Sequence, residues 1–305
     1  MRRRLLGIAM LSLGIAAACG VIAVLTSATE WMDGDHRSWA GTLRSCAAAK
    51  PAGASERRTV DLAWAGSDAV KIRIPAQVHY QPGPKPQASV SGDAELVSHV
   101  RLRDGTLEWD TVEWDRLVDC FPASDLVVQL SGPAVTAWTL NGSGELTLSD
   151  IKQDALRVTV HGSTTVTASG EAKELWFDAA GSGRADFGRL VAQKTSVNMS
   201  GSTNLKLADV KQDMLRVVMS GSSTITASGT AHEVSLESAG SSRANLGGLI
   251  TEQASAKIHG SGDVDLAPRQ DADISVSGSA VVKLHGNVAR INSHVSGSGE
   301  IKRMP

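Results

Sequence analysis

The chain has 305 residues, 42% of them hydrophobic, with 30 glycines and only 4% aromatics, a balance that suits thin β turns better than a globular enzyme core. Its net charge of -2, with no acidic or basic tail, gives no electrostatic footprint for nucleic acid or for an anionic membrane surface.

Arg2, Arg3 and Arg4 precede an uncharged run from Leu5 to Leu25. That run is long enough to span a bilayer, and its positive flank keeps the N-terminus cytoplasmic, so everything after about residue 28 is expected to be exported. Residues 1–28 read either as a signal anchor or as a signal peptide cleaved after Ala28. Cys19 lies inside the run and reads as a membrane residue. Outside it stand Cys46 and Cys120. In an oxidising compartment such a pair is most simply a disulfide, closing a loop of about 75 residues worth about 4 kcal/mol in chain entropy; two buried free thiols are the alternative.

Residues 29–57 show no period and read as a linker, with a short helix near Ser38 to Ala49. Strands are expected at Val70 to Ile74, Glu95 to Leu102 and Thr106 to Trp109, with Gln81 to Pro86 as a turn. These irregular strands, within residues 58–135, are expected to cap the N-terminal end of the regular turns at 136–302. Trp109 and Trp114, in LEWDTVEWD, can stack on a sugar ring, although covering an apolar end is the commoner use of tryptophan.

From residue 142 onward a Gly-Ser pair recurs every 18 to 20 residues, at Gly142, Gly162, Gly181, Gly201, Gly221, Gly240, Gly260, Gly278 and Gly297. A fixed period too short to bury its own core predicts a solenoid of stacked turns. Around each glycine the apolar residues alternate. Leu140, Val160, Met199, Ile258 and Val276 fall two places before it and Trp138, Val158, Phe177, Val197 and Ile274 four before. Leu146, Val166, Leu205, Ile225 and Val264 fall four places after it, and Leu148, Phe187, Leu207, Leu246 and Leu284 six after. Period two means strands with one buried face, so each turn reads as strand, Gly-Ser bend, strand. Glycine suits the bend because it reaches positive φ without steric cost. Nine parallel turns about 4.8 Å apart would make a rod roughly 40 Å long. Residues 142–200 align without a gap to 201–259; DIKQDALRV at Asp150 returns as DVKQDMLRV at Asp209. Three turns were copied as a block, which lengthens a solenoid without new packing chemistry.

The segments RTVDLAWAG from Arg58, VSGDAELVSHVRLRDGTLEWD from Val90 and DLVVQLSGPAVTAWTLNGSGEL from Asp125, followed by V-x-G-S-G-type turns ending in HVSGSGEIKR, resemble the bacterial GIN domain, the head domain ascribed to autotransporter adhesins. The resemblance covers roughly residues 58–302. It implies an all-β fold, a right-handed parallel β-helix exported to the cell envelope, and it brings no catalytic residues with it. The chain departs from the family in its longer tryptophan-bearing N-terminal segment and is not expected to act as a self-sufficient autotransporter.

Glycan-cleaving β-helices need carboxylates, or a carboxylate and a base, clustered on neighbouring turns. The outward columns instead place Arg243 beside Asp263, Asp186 beside Lys206 and Asp265 beside Lys283, which are ladder ion pairs. Asp263 and Asp265 look superficially like a calcium repeat, but Val281 stands on the next turn, so surface charge is the expected reading. His161 and His259 share a column but are separated by four turns without another histidine between, and cannot share a metal. The expectation is therefore a non-enzymatic, adhesin-like envelope protein without cofactor or metal, its partner a surface glycan or protein and not nucleic acid. Residues 5–25 would give a membrane contact if uncleaved. The alternative from another class is a glycan-active β-helix enzyme, which would need the cap carboxylates Asp104, Asp110, Glu113 and Asp115 to converge over one groove.

Overall fold

Alternation of buried and exposed residues runs through nearly every strand of this chain, and the backbone follows it. The computed structural model describes residues 56–111 and 126–305, which belong to the compact unit Ala54–Pro305. The apolar run 5–25, the linker up to residue 55, and Cys46, Cys120 and Trp114 lie outside the described residues; Arg57, expected to end the linker, opens the strand Arg57–Asp61. Among the described residues no helix is long and apolar enough to cross a membrane.

The architecture is a parallel β-helix. β8 (Ala137–Gly181), β9 (Arg184–Gly201), β10 (Asn204–Gly221), β11 (Thr224–Gly240), β12 (Arg243–Gly260) and β13 (Asp263–Gly278) pair in parallel, each with the next. β14 (Val281–His285), β15 (Arg290–Gly297) and β16 (Glu300–Met304) complete the stack. Turns in the body of the stack carry three ladder segments where the sequence pattern predicted two. Between β8 and β9, for example, Thr165–Thr167 pair with 184–186, Ser169–Ala172 with 189–192, and Glu174–Gly181 with 194–201. The third segment escapes the glycine columns because its offset slips: the same ladder position is Ile151, Leu190, Val210 or Leu249, nine places after the glycine, but Gly170 or Gly229, eight places after it.

The expected inward columns form the core, from Trp138, Leu140, Leu146 and Leu148 at one end to Val276, Val282 and Leu284 at the other. Phe177 and Phe187 meet edge to face at 5.3 Å, the geometry that aromatic quadrupoles favour. In the last turn the same columns open outward, leaving Val295 exposed.

The nine glycines stack in one file, all at positive φ. The carbonyl of each of six of them, Gly162, Gly181, Gly201, Gly221, Gly240 and Gly260, accepts the N–H of the serine after the next glycine, as in Ser202 N–H to Gly181 O at 2.8 Å and Ser222 N–H to Gly201 O at 2.8 Å. Three of the hydroxyls two places after a glycine turn inward and donate to the same carbonyl: Thr203 to Gly181 O at 3.5 Å, Ser223 to Gly201 O at 3.3 Å, Ser242 to Gly221 O at 3.3 Å. These corner hydroxyls are buried but satisfied, whereas the buried hydroxyl of Thr164, after Gly162, has no partner among the described residues.

The N-terminal strands do more than cap. β2 (Ala69–Ile72) and β3 (Gln77–Pro82) pair in parallel with β8, forming a solenoid turn directly beneath it. Beneath that turn lie β6 (Thr106–Trp109), against β2, and β7 (Leu126–Gly132), against β3. The chain therefore lays down its second layer before its first. Capping falls to the antiparallel strands β1 (Arg57–Asp61), β4 (Gln87–Asp93) and β5 (Val100–Arg103), with β4 on β7. The strand expected over Glu95 to Leu102 is corrected in its first half: Ala94–His99 form helix α1. Asp93 caps it by accepting the Glu95 N–H at 2.9 Å, while Leu96 and Val97 supply a buried face, so a capping aspartate outweighed a short ambiguous apolar run.

Candidate functional site

The strand segments just after the glycine corners share one outward face, and parallel register makes its residues into rows. One row passes through Asp61, Ser89, Gln129, His79 and Thr147 in successive strands β1, β4, β7, β3 and β8. It continues from Thr167 through Asp186, Lys206, Thr226, Asn245, Asp265, Lys283 and Lys302. The three ladder pairs expected from the sequence form, Lys206 to Asp186 at 3.5 Å, Arg243 to Asp263 at 3.5 Å and Lys283 to Asp265 at 3.8 Å. All are solvent-exposed or nearly so and contribute little stability each.

At the N-terminal end of this face the rows sink into a groove of about 670 Å³, lined by His79, Gln81, Gln87, Ser89, Gln129 and Ser131 among others. Its lining is rich in amides and hydroxyls, groups that both donate and accept. Tyr80 stiffens the floor. Its buried hydroxyl donates to Pro133 O at 2.7 Å and lies 3.2 Å from Gly132 O, and its ring packs on Trp138 with centroids 5.2 Å apart. Burial pushes the Tyr80 phenol above its usual range, partly offset by a backbone hydrogen bond at Val135.

Trp109, expected as a possible sugar platform, is buried in β6. It borders a second depression of about 740 Å³ with Arg73, Arg103, Glu108 and Asn141. Here the acidic residues are engaged by neighbours: Asp110 with His99 and Arg101, each at 3.0 Å, and Glu108 with Arg73 at 3.6 Å. Asp104 sits at the β5–β6 hairpin with φ 47°, and Glu113 and Asp115 lie outside the described residues. Asp265 is held by His285 at 3.1 Å as well as by Lys283. Among the described residues no three His, Cys, Asp or Glu side chains are grouped to hold a metal ion.

Trp176 is the residue that the sequence pattern placed but did not single out. It lies five positions before Gly181, on the outward parity of β8, half-buried, with the Arg157 guanidinium 5.0 Å from its ring centroid. Arg157 also bridges Asp178 at 3.4 Å. On the next turns a hollow of about 170 Å³ opens, lined by Glu174, Trp176, Lys194, Ser196, Met214 and Arg216 with Leu175 and Thr195.

Comparison with known proteins agrees with the geometry. A family described as "Putative auto-transporter adhesin, head GIN domain" matches residues 67–208 and 187–288. No functionally curated protein matches. Among solved structures, a "putative lipid binding protein" from Parabacteroides distasonis superposes with a TM-score of 0.59 at 19% identity, and a "putative adhesin" from the same species with 0.60 at 17%. A "putative adhesin" from Parabacteroides merdae superposes with 0.57 at 18%. Each alignment covers 83% of this chain and 98% of the other. At such identities the likeness is one of fold.

Proposed function

Because the chain belongs to the GIN-domain family of autotransporter-adhesin heads, we propose that it is an exported, non-enzymatic envelope protein whose β-helix, spanning residues 58–302, binds a surface glycan. Residues 29–57 serve as the linker, and residues 1–28 tether the protein to the membrane or are removed after Ala28. The observation that carries the binding reading is the polar groove at the head of the outward face. Its lining converges Gln81, Gln87, Gln129, Ser89 and Ser131 on a space that suits a polyhydroxylated chain better than an acyl chain. The ladder rows leading out of it offer such a chain many further weak polar contacts along the solenoid.

Cleavage is the less supported reading. The groove's carboxylate, Asp61, stands three strands from His79 in the same row, roughly 14 Å at the usual strand spacing. Hydrolysis of one glycosidic bond needs its acid and base within about 5–9.5 Å.

The test is binding of the full-length protein to arrayed envelope and host glycans, with the chain length of any bound glycan followed over time. Retention of an intact glycan, lost in the Gln81→Ala/Gln129→Ala double variant, is the expected result. Shortening of the glycan would move the protein into the enzyme class, and undiminished binding by the double variant would refute the groove assignment.

A further inference from the structure

We infer that the hollow beside Trp176 is a second, separate binding site, for one ring of an acidic saccharide. It lies on the strand face that precedes each glycine corner, whereas the groove lies on the face that comes after it, so the inference does not depend on the groove.

Register defines the walls. Trp176 pairs with Ser196, and Ser196 with Arg216, so an indole and a guanidinium face each other across one small residue. Two strand spacings separate them by roughly 10 Å. A ring in contact with both, at about 3.5–4.0 Å from each wall, takes up about 7–8 Å of that distance. Arg157, from the preceding turn, lies over one face of the indole, which leaves the other face for a ligand. The parallel row supplies Glu174, Lys194 and Met214. Met214 is an exposed apolar side chain and extends the stacking surface.

Charge selects the ligand. Neither Lys194 nor Arg216 has an ion-pair partner among the described residues, whereas Arg157 is already paired with Asp178. Two free cations against one carboxylate, Glu174, leave an excess positive charge at the mouth. A carboxylate on a stacked sugar ring satisfies it, with Arg216 offering its planar fork of donors. The indole accepts the apolar face of the same ring.

The internal duplication separates this site from the needs of the fold. Arg157 returns as Arg216, Glu174 as Glu233 and Ser196 as Ser255, but Trp176 returns as Ser235. Ser235 occupies the same ladder position between Arg216 and Ser255, and its turn stacks with unbroken pairing there. The indole is therefore dispensable for the solenoid. Duplication also placed the same arginine on both sides of Trp176, one stacked on it and one facing it.

Calorimetric titration of the full-length protein with hexagalacturonate, its methyl ester and poly-L-glutamate tests the assignment. The acidic oligomer is expected to bind, with the ester and the polypeptide at least tenfold weaker. Trp176→Ser, which copies the second block, is expected to weaken binding at least tenfold with an unchanged circular dichroism spectrum, and Arg216→Gln to abolish the preference for acid over ester. The groove double variant should bind hexagalacturonate within twofold of the parent. Undiminished binding by Trp176→Ser, equal binding of ester or polyglutamate, or no binding of galacturonate, glucuronate or sialate oligomers would overturn the site. Loss in the groove variant alone would move the ligand to the groove and overturn it equally.

Discussion

Replacing a glycine of the corner file with alanine should cost very different amounts depending on what lies beneath it. Gly142 and Gly221 have similar backbones, φ 98° and 87°. Among the described residues a methyl group on Gly142 would meet nothing within 4 Å, whereas on Gly221 it would lie 2.6 Å from Gly201 O and 3.1 Å from Gly201 N. Gly142→Ala therefore carries only the conformational penalty of a non-glycine residue at positive φ, about 1–3 kcal/mol. Gly221→Ala carries the same penalty and must also push two turns apart, an overpacking cost of about 1–3 kcal/mol. The push strains the bonds that Ser222 N–H and Ser223 Oγ donate to Gly201 O, adding about 0.5–1.5 kcal/mol for each one lost. The expected difference between the variants is about 2–4 kcal/mol. Urea unfolding followed by circular dichroism measures it, and amide exchange at Ser222 localises it. Equal destabilisation by the two alanines would refute the argument that backbone contact between turns, and not φ alone, reserves this file for glycine.

Three further outcomes are expected. Tyr80 is the single tyrosine of the chain, and burial raises its folded pKa. Its contribution is complete below about pH 10, where the unfolded phenol is also protonated, and is lost as pH climbs from there through the folded value. Tyr80→Phe should remove that alkaline loss while costing about 1 kcal/mol at neutral pH through its carbonyl bonds, as read from paired pH titrations of urea midpoints. Ser238 occupies an inward column with its hydroxyl buried and lacking a protein partner. Ser238→Ala should stabilise the protein by about 1 kcal/mol, and a lowered urea midpoint would contradict this. Lys206→Ala, which breaks an exposed pair with Asp186, should shift the midpoint by less than about 0.5 kcal/mol equivalent.

The legible part of this protein was the part governed by period. Gly-Ser spacing gave the corner file, alternation gave the columns that became the core, and column neighbours gave the Lys206–Asp186, Arg243–Asp263 and Lys283–Asp265 pairs. Residues 56–132 were harder, because strands that pair there are far apart in sequence: Gln77 with Val127, and with Glu145 on the other side. The groove shared their obscurity, since Gln81, Gln87 and Gln129 converge only once that layering is known. Trp176 was hidden differently. Tryptophans crowd the N-terminal segment and draw the eye there, yet Trp109 is buried, and outward parity five places before Gly181 was the signal that would have found the half-buried indole of Trp176.

The inverted layering of β2–β3 between β6–β7 and β8 also dictates when this protein can begin to exist as a fold. The duplicated blocks can zip turn upon turn, each laying itself on a finished neighbour through local contacts. Residues 69–82 have no such template until later segments have been synthesised and have found both of their sides. Closing those loops is entropic work that precedes any ladder gain. The slow step of assembly therefore belongs to the head of the solenoid, which must close its long loops onto turns that the repeats can build by themselves.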